Sequence, residues 1–163
     1  MTTIKRNDIN FVNGCVYSTD LSDFKFIKRG KVRDIYEVGD EHLLIVATDR
    51  LSAFDVVMAQ PIPNKGKILT KISDFWFKRT NPIIRNHTSS IDTRGFFSSQ
   101  ETYKKISAQI SMVAKFAPIK YEAVVRGYLA GTAWLDYSKN NSVSGVKLRK
   151  GLYQFERLGE PIF

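Results

Sequence analysis

Two short runs, VRDIYEV at residues 32–38 and HLLIVAT at residues 42–48, are separated only by Gly39-Asp40-Glu41. Both are dense in β-branched and apolar side chains, and a three-residue, glycine-containing connection folds one back on the other. No other feature constrains the chain as strongly. An antiparallel hairpin has to form early in the sequence, and a core has to cover it. The stretch KRGKVR, Lys28–Arg33, runs straight into it and gathers four cationic side chains around Gly30.

The remaining periodicity points to a mixed fold. From Lys67 to Arg79 the apolar positions Ile68, Leu69, Ile72, Phe75 and Trp76 recur at helical spacing, and Asn81-Pro82 stops the run. The pattern predicts an amphipathic helix whose aromatic stripe packs into the core. DRLSAFDVV reads as a loop feeding a short strand, and PIPNKGK as a turn. Ile83–Ile84, Gln109–Lys115 and Tyr121–Tyr128 are expected as strands and Ala130–Tyr137 as a short helix. Strands without regularly interleaved helices argue for an α+β arrangement over a doubly wound one.

Composition limits the chemistry. The 163 residues are 43% hydrophobic, enough for one good core or one core and the beginning of a second. Cys15 is the only cysteine, which excludes an internal disulfide or a multi-cysteine metal site and fits a reducing compartment. The start MTTIKRNDIN is polar, and no run reaches the roughly 18 apolar residues of a membrane span. A soluble, cytosolic protein is expected. The formal charge of +9 favours anionic partners, although part of it is ordinary solvated surface.

Three stretches offer binding chemistry. After Gly30, alternation along a strand puts Lys31 and Arg33 on one face, where a glycine turn lets phosphate oxygens approach the backbone. The alternative is a basic surface turn. TDRLSAFD gathers Asp49, Arg50, Ser52 and Asp55 around Ala53, either as donors to a polar small molecule or as turn caps. In YEAVVRGYLAGTAW, Arg126 precedes a glycine turn, and Gly131-Thr132 opens a helix whose free N–H groups suit an anion; a structural arginine is the competing reading. His42 and His87 are too far apart in sequence to suggest a local metal pair, and no Walker A pattern occurs.

Taken together and in order, RGKVRDIY, ATDRLSAFD, NKGKILTKISDFWF and EAVVRGYLAGTAW, followed by SVSGVKL, GL and EPIF, resemble the phosphoribosylaminoimidazole-succinocarboxamide (SAICAR) synthase family of purine biosynthesis. The resemblance runs from about Phe26 to Phe163. It implies an α+β fold with an antiparallel β-rich nucleotide lobe at 1–115, distantly like ATP-grasp and kinase lobes, and the start of a second α+β domain at 116–163. It implies a cytoplasmic ligase that uses ATP and Mg²⁺ to join L-aspartate to the carboxylate of carboxyaminoimidazole ribonucleotide, with small-molecule partners and neither nucleic acid nor membrane. Phosphorylation turns an unreactive carboxylate into an acyl phosphate, the aspartate amine attacks its carbonyl carbon, and phosphate leaves as the amide forms.

Carried over by motif, Gly30, Lys31 and Arg33 hold the ATP phosphates, and Met112 and Val113 line the adenine pocket. Ser52, Ala53 and Asp55 shape the substrate cleft, and Arg126 and Thr132 bind the ribonucleotide. Lys65 and Lys71 stand in these motifs without a role. The family's sequence departs at Lys120, where it usually has proline, and continues beyond EPIF with an Asp-x-Lys-x-Glu-Phe-Gly segment and acidic metal ligands. The chain is therefore expected to be the N-terminal half of a synthase, without the metal ligands and inactive or nearly so alone. Two other classes compete: a basic nucleic-acid module and a non-catalytic scaffold. The first needs aromatics interleaved with Lys and Arg on strands, whereas Phe75-Trp76-Phe77 and Phe96-Phe97 lie elsewhere.

Overall fold

The computed structural model describes residues 7–163, so the polar start at residues 1–6 lies outside the described residues. The chain divides into two compact units, Met1–Phe116 and Ala117–Phe163. In the first, β1 (Asn7–Val12) and β2 (Cys15–Leu21) form a hairpin. Then come β3 (Lys25–Arg29), β4 (Arg33–Val38) and β5 (His42–Ala47), with the expected turn at Gly39–Glu41 closing Val38 onto His42. A two-residue pair, β6 (Ser52–Ala53) and β7 (Val56–Val57), precedes helix α1 (Lys65–Thr80). Helix α2 (Gln100–Ile106) leads into β8 (Ile110–Ala114), which completes an antiparallel sheet in the order β3-β4-β5-β8.

The two faces of this sheet have different tasks. Strand alternation sends Tyr36, Val38, Leu44, Val46, Ile110 and Met112 to one side, where they pack with Val16, Leu21, Phe97 and Ile106 into the core. Arg33, Ile45, Ala47, Ser111 and Val113 point to the other side, over which α1 lies. The β1–β2 hairpin and α2 serve the first face, and neither is signalled by the periodicity of the sequence. In the second unit, β9 (Arg126–Tyr128) pairs with β12 (Arg157–Ile162), and α3 (Thr132–Asn140) is followed by the small pair β10 (Ser142–Val143) and β11 (Val146–Lys147). Its core gathers Leu129, Ala133, Tyr137, Val143, Leu152 and Leu158.

A buried ionic junction ties the sheet to the loop after β5. Asp34 is fully buried on β4, and Arg50 is 2% exposed. The Arg50 guanidinium donates to Asp34 Oδ1 at 2.9 Å, to the carbonyls of Gly30 and Lys31 at 3.0 Å each, and to the carbonyl of Tyr17. Asp34 Oδ2 accepts from the Thr19 N–H at 2.7 Å and from its hydroxyl at 3.0 Å, and Arg29 Nε donates to Oδ1 at 3.1 Å. The planar five-donor fork suits arginine for holding several carbonyls and a carboxylate at once.

Three expectations are corrected. Ile83 and Ile84 are not a strand: both N–H groups go to the Thr80 carbonyl, at 2.9 and 3.0 Å, in the turn that ends α1. Tyr121–Val125 is not paired; only Arg126–Tyr128 is, because within this unit pairing depends on β12, which meets the chain at Tyr128 and Arg126. The aromatic stripe of α1 does not enter the core, since Ile68, Ile72, Phe75 and Trp76 are all about half exposed. The α1 residues that are buried are Gly66 and Thr70.

Removing one partner of a buried ion pair leaves an uncompensated charge, at a cost of about 3–5 kcal/mol. Arg50→Met is expected to lower the unfolding free energy by about that amount in urea titrations. Lys31→Ala, which removes an exposed pair, should change it by less than about 1 kcal/mol.

Candidate functional site

The orientation of α1 shapes the site. At Gly66 a β-carbon would lie 2.0 Å from the Ala47 carbonyl oxygen, so only glycine lets the first turn rest on β5. Asp49, 3% exposed, accepts from the Gly66 N–H at 2.9 Å through Oδ1 and from the Val16 N–H at 2.8 Å through Oδ2. Its carboxylate thus satisfies an otherwise orphan donor at the positive end of the helix, a task that Asn64, with φ of 62°, does not perform with its side chain. Gln109 Nε2 donates to the same Ala47 carbonyl at 2.9 Å. These contacts turn Gly66, Thr70, Ser73 and Phe77 toward the sheet.

Between that face of α1 and the sheet lies a cavity of about 150 Å³. Val32, Ile45, Ala47, Leu69 and Val113 make its apolar walls, and Arg33 and Lys65 stand at it with no carboxylate pairing either side chain among the described residues. Burial holds the Lys65 amine below the usual lysine range, and the neighbouring Arg33 charge lowers it further, against a smaller opposing pull from Asp49. Two cations that repel one another beside an apolar wall suit a ligand with an anionic end and a flat apolar body. Thr70, Ser73, Asp74, His87, Thr88 and Ser111 add polar groups to the lining.

The structure separates residues that strand alternation groups together. Lys31 belongs to the tight turn in which the Gly30 N–H donates to the Arg33 carbonyl at 2.7 Å, not to the strand, so it does not share a face with Arg33. Its amine instead meets Asp55 at 2.5 Å, and that hydrogen bond, with the lysine charge, holds the Asp55 carboxyl below its ordinary range. Asp55 and Phe54 have φ of 65° and 48° at the tip between β6 and β7, where a two-residue hairpin requires left-handed backbone. Ser52 is half-buried and Ala53 exposed on the same small hairpin. Met112 packs into the core while Val113, its neighbour, lines the cavity, as period-two alternation demands. Lys71 is exposed on α1.

Lys65, Thr70 and Ser73 were not singled out as a group from the sequence. The signal was the polar run opposite the apolar stripe. In the second unit, Arg126 donates to the Thr132 hydroxyl at 2.9 Å, and Gly131, at φ 56° and ψ −133°, makes the turn that brings the start of α3 back to β9. The arginine and the helix N-terminus therefore converge as the sequence suggests. Among the described residues no three His, Cys, Asp or Glu side chains cluster as metal ligands.

An antiparallel α+β lobe with a cationic, apolar-walled cavity between its sheet and a helix has the form of a receptor for a small anionic ligand. Comparison with known proteins carries the identification further. A family model described as SAICAR synthetase matches residues 26–163, and the chain belongs to that family. It is 52% identical over 149 residues to the phosphoribosylaminoimidazole-succinocarboxamide synthase of Desulfosudis oleivorans, covering 91% of this chain and 50% of the relative. Among solved structures it resembles a SAICAR synthase from Saccharomyces cerevisiae complexed with SAICAR, at TM-score 0.80 and 41% identity over 86% of this chain and 50% of that one. A type-2 SAICAR synthetase in complex with ADP shares the fold at TM-score 0.61 and 20% identity, over 85% of this chain and 48% of that one. The chain spans about half the length of the curated relatives it matches.

Because the Gly66 contact sets how α1 sits, Gly66→Ala is expected to push the helix off β5 and cost about 1–3 kcal/mol of stability, as overpacking does. Thermal unfolding of the variant checks this, and Gly95→Ala, where a β-carbon meets nothing within 4 Å, is the control.

Proposed function

We propose that the cavity between α1 and the sheet forms part of an ATP site, with Arg33 and Lys65 toward the phosphates and Val32, Ala47 and Val113 toward the base. The observation that carries this reading is the convergence on an apolar cavity of two cations that have no carboxylate partner among the described residues, in a chain of this family. Lys31 in this reading exchanges its exposed Asp55 partner for a phosphate oxygen, and Gly30 keeps the turn close. Met112 contributes through the packing that holds β8 rather than through its side chain in the pocket. The first unit is then the nucleotide lobe.

The reaction of the whole protein is the ligation implied by the family. ATP phosphorylates the carboxylate of carboxyaminoimidazole ribonucleotide, and the amine of L-aspartate displaces phosphate from the acyl phosphate, giving SAICAR, ADP and phosphate. Within the second unit Arg126 and Thr132 are proposed to bind the ribonucleotide, and within the first unit Ser52, Ala53 and Asp55 are proposed as substrate-binding residues. The family's role in purine synthesis supports a cytoplasmic setting. Among the described residues no helix is long and apolar enough to cross a membrane.

Calorimetric titration of the chain with Mg-ATP tests the site. Saturable binding is expected, weakened roughly 10- to 100-fold by Arg33→Ala or Lys65→Ala, the worth of one charge-assisted hydrogen bond. Because the Lys65 pKa is lowered without ligand and an anion favours the charged amine, binding should take up protons. Affinity should then fall as pH rises through the range in which Lys65 loses its proton, and Lys65→Arg should flatten the fall. Absence of binding by a folded chain, or binding indifferent to both substitutions, contradicts the reading.

A further inference from the structure

The amine of Lys65 has the surroundings of a nucleophile. Lys65 opens α1 and is half-buried at the cavity that Val32 and Leu69 also line. Arg33, exposed at the start of β4, stands at the same cavity, and Arg50 lies near enough to add its charge. The first turn of α1 holds no acidic residue, so nothing within it opposes the positive end of the helix. Asp49 is the neighbouring carboxylate, but its two oxygens accept from the Gly66 and Val16 N–H groups. Asp74 and His87 are the other titratable groups of the lining, and no carboxylate pairs with Lys65 among the described residues. Other lysines differ: Lys31, Lys105 and Lys115 are ion-paired, and Glu37 shifts the Lys25 amine upward. Desolvation and neighbouring cations favour the neutral amine at Lys65, the form that carries a free lone pair.

We propose that Lys65 is a covalent capture site for small phosphorylated aldehydes, with Arg33 receiving the phosphate and the apolar wall of the cavity receiving the carbon body. Two requirements select this class. Arg33 calls for an anionic group, and a neutral amine calls for an uncharged electrophilic carbon. The cavity, about 150 Å³, suits a single ring or a short chain. In the reaction the Lys65 lone pair adds to the aldehyde carbon, and one amine proton passes to the carbonyl oxygen, giving a carbinolamine. Its hydroxyl then leaves as water with the second nitrogen proton, and a C=N imine remains. No oxidant or reductant is consumed, and water reverses the steps. Capture requires the cavity and its two cations but not nucleotide binding.

The test treats the 163-residue chain with pyridoxal 5′-phosphate near neutral pH, reduces the imine with borohydride and locates the adduct by peptide mass spectrometry. Lys71, exposed on the same helix, is the internal reference. Lys65 is expected to label roughly tenfold faster than Lys71, and Lys65→Arg to remove most of the label taken up at low reagent. Pyridoxal, which lacks the phosphate, should show a smaller ratio of Lys65 to Lys71. Arg33→Gln, at an exposed position, should bring the ratio for pyridoxal 5′-phosphate down toward that for pyridoxal. Label spread over the lysines in proportion to their exposure overturns the proposal. So does a Lys65 preference that is equal for the two aldehydes, or one that Arg33→Gln leaves intact in a chain of unchanged circular dichroism.

Discussion

The buried contact between Asp34 and Arg50 is the interaction from which the geometry of the first unit follows. An arginine taken out of water needs partners for all its donors, and here they are supplied by one carboxylate and the carbonyls of Tyr17, Gly30 and Lys31. Those carbonyls belong to β2 and to the turn between β3 and β4. The same guanidinium therefore fixes the glycine turn and the β1–β2 hairpin to the sheet. Replacing the pair by apolar groups would release the turn. Its worth lies in position as much as in energy.

Asp49, one residue earlier, extends the junction to α1. By bonding the N–H groups of Val16 and Gly66 it joins β2 to the first turn of the helix, and the missing β-carbon of Gly66 sets the distance to β5. Once that turn is anchored, the rotation of the whole helix is determined by its 3.6-residue period. Lys65 arrives beside Arg33, the polar stripe faces inward, and the apolar stripe is left outside. The cationic cavity and the exposed aromatic face are thus two consequences of one local constraint.

What was legible in the sequence was whatever depends on local pattern. The hairpin at residues 32–48 and the span of α1 follow from periodicity and turn residues, and the ordered motifs identified the family. The side of α1 that faces inward was not legible. Amphipathicity names an apolar face but not its partner, and a backbone contact at Gly66 overrode it. Alternation failed at Lys31 because the strand starts two residues later, and it separated Met112 from Val113 because neighbours on a strand point to opposite faces. TDRLSAFD read as a cluster of possible donors or turn caps, whereas Asp49 and Arg50 are buried, Asp49 bonded to N–H groups of β2 and α1 and Arg50 to the Asp34 carboxylate and to carbonyls of β2 and the glycine turn. Such long-range partners leave no mark in local spacing.

Amide hydrogen exchange of the chain, measured with and without Mg-ATP, tests most directly whether this junction builds a nucleotide site. The account predicts added protection in the glycine turn at residues 30–33, in the first turns of α1 and in β8, with α2 unchanged. Protection confined to residues 126–132, or none at nucleotide concentrations that saturate calorimetric binding, would contradict it.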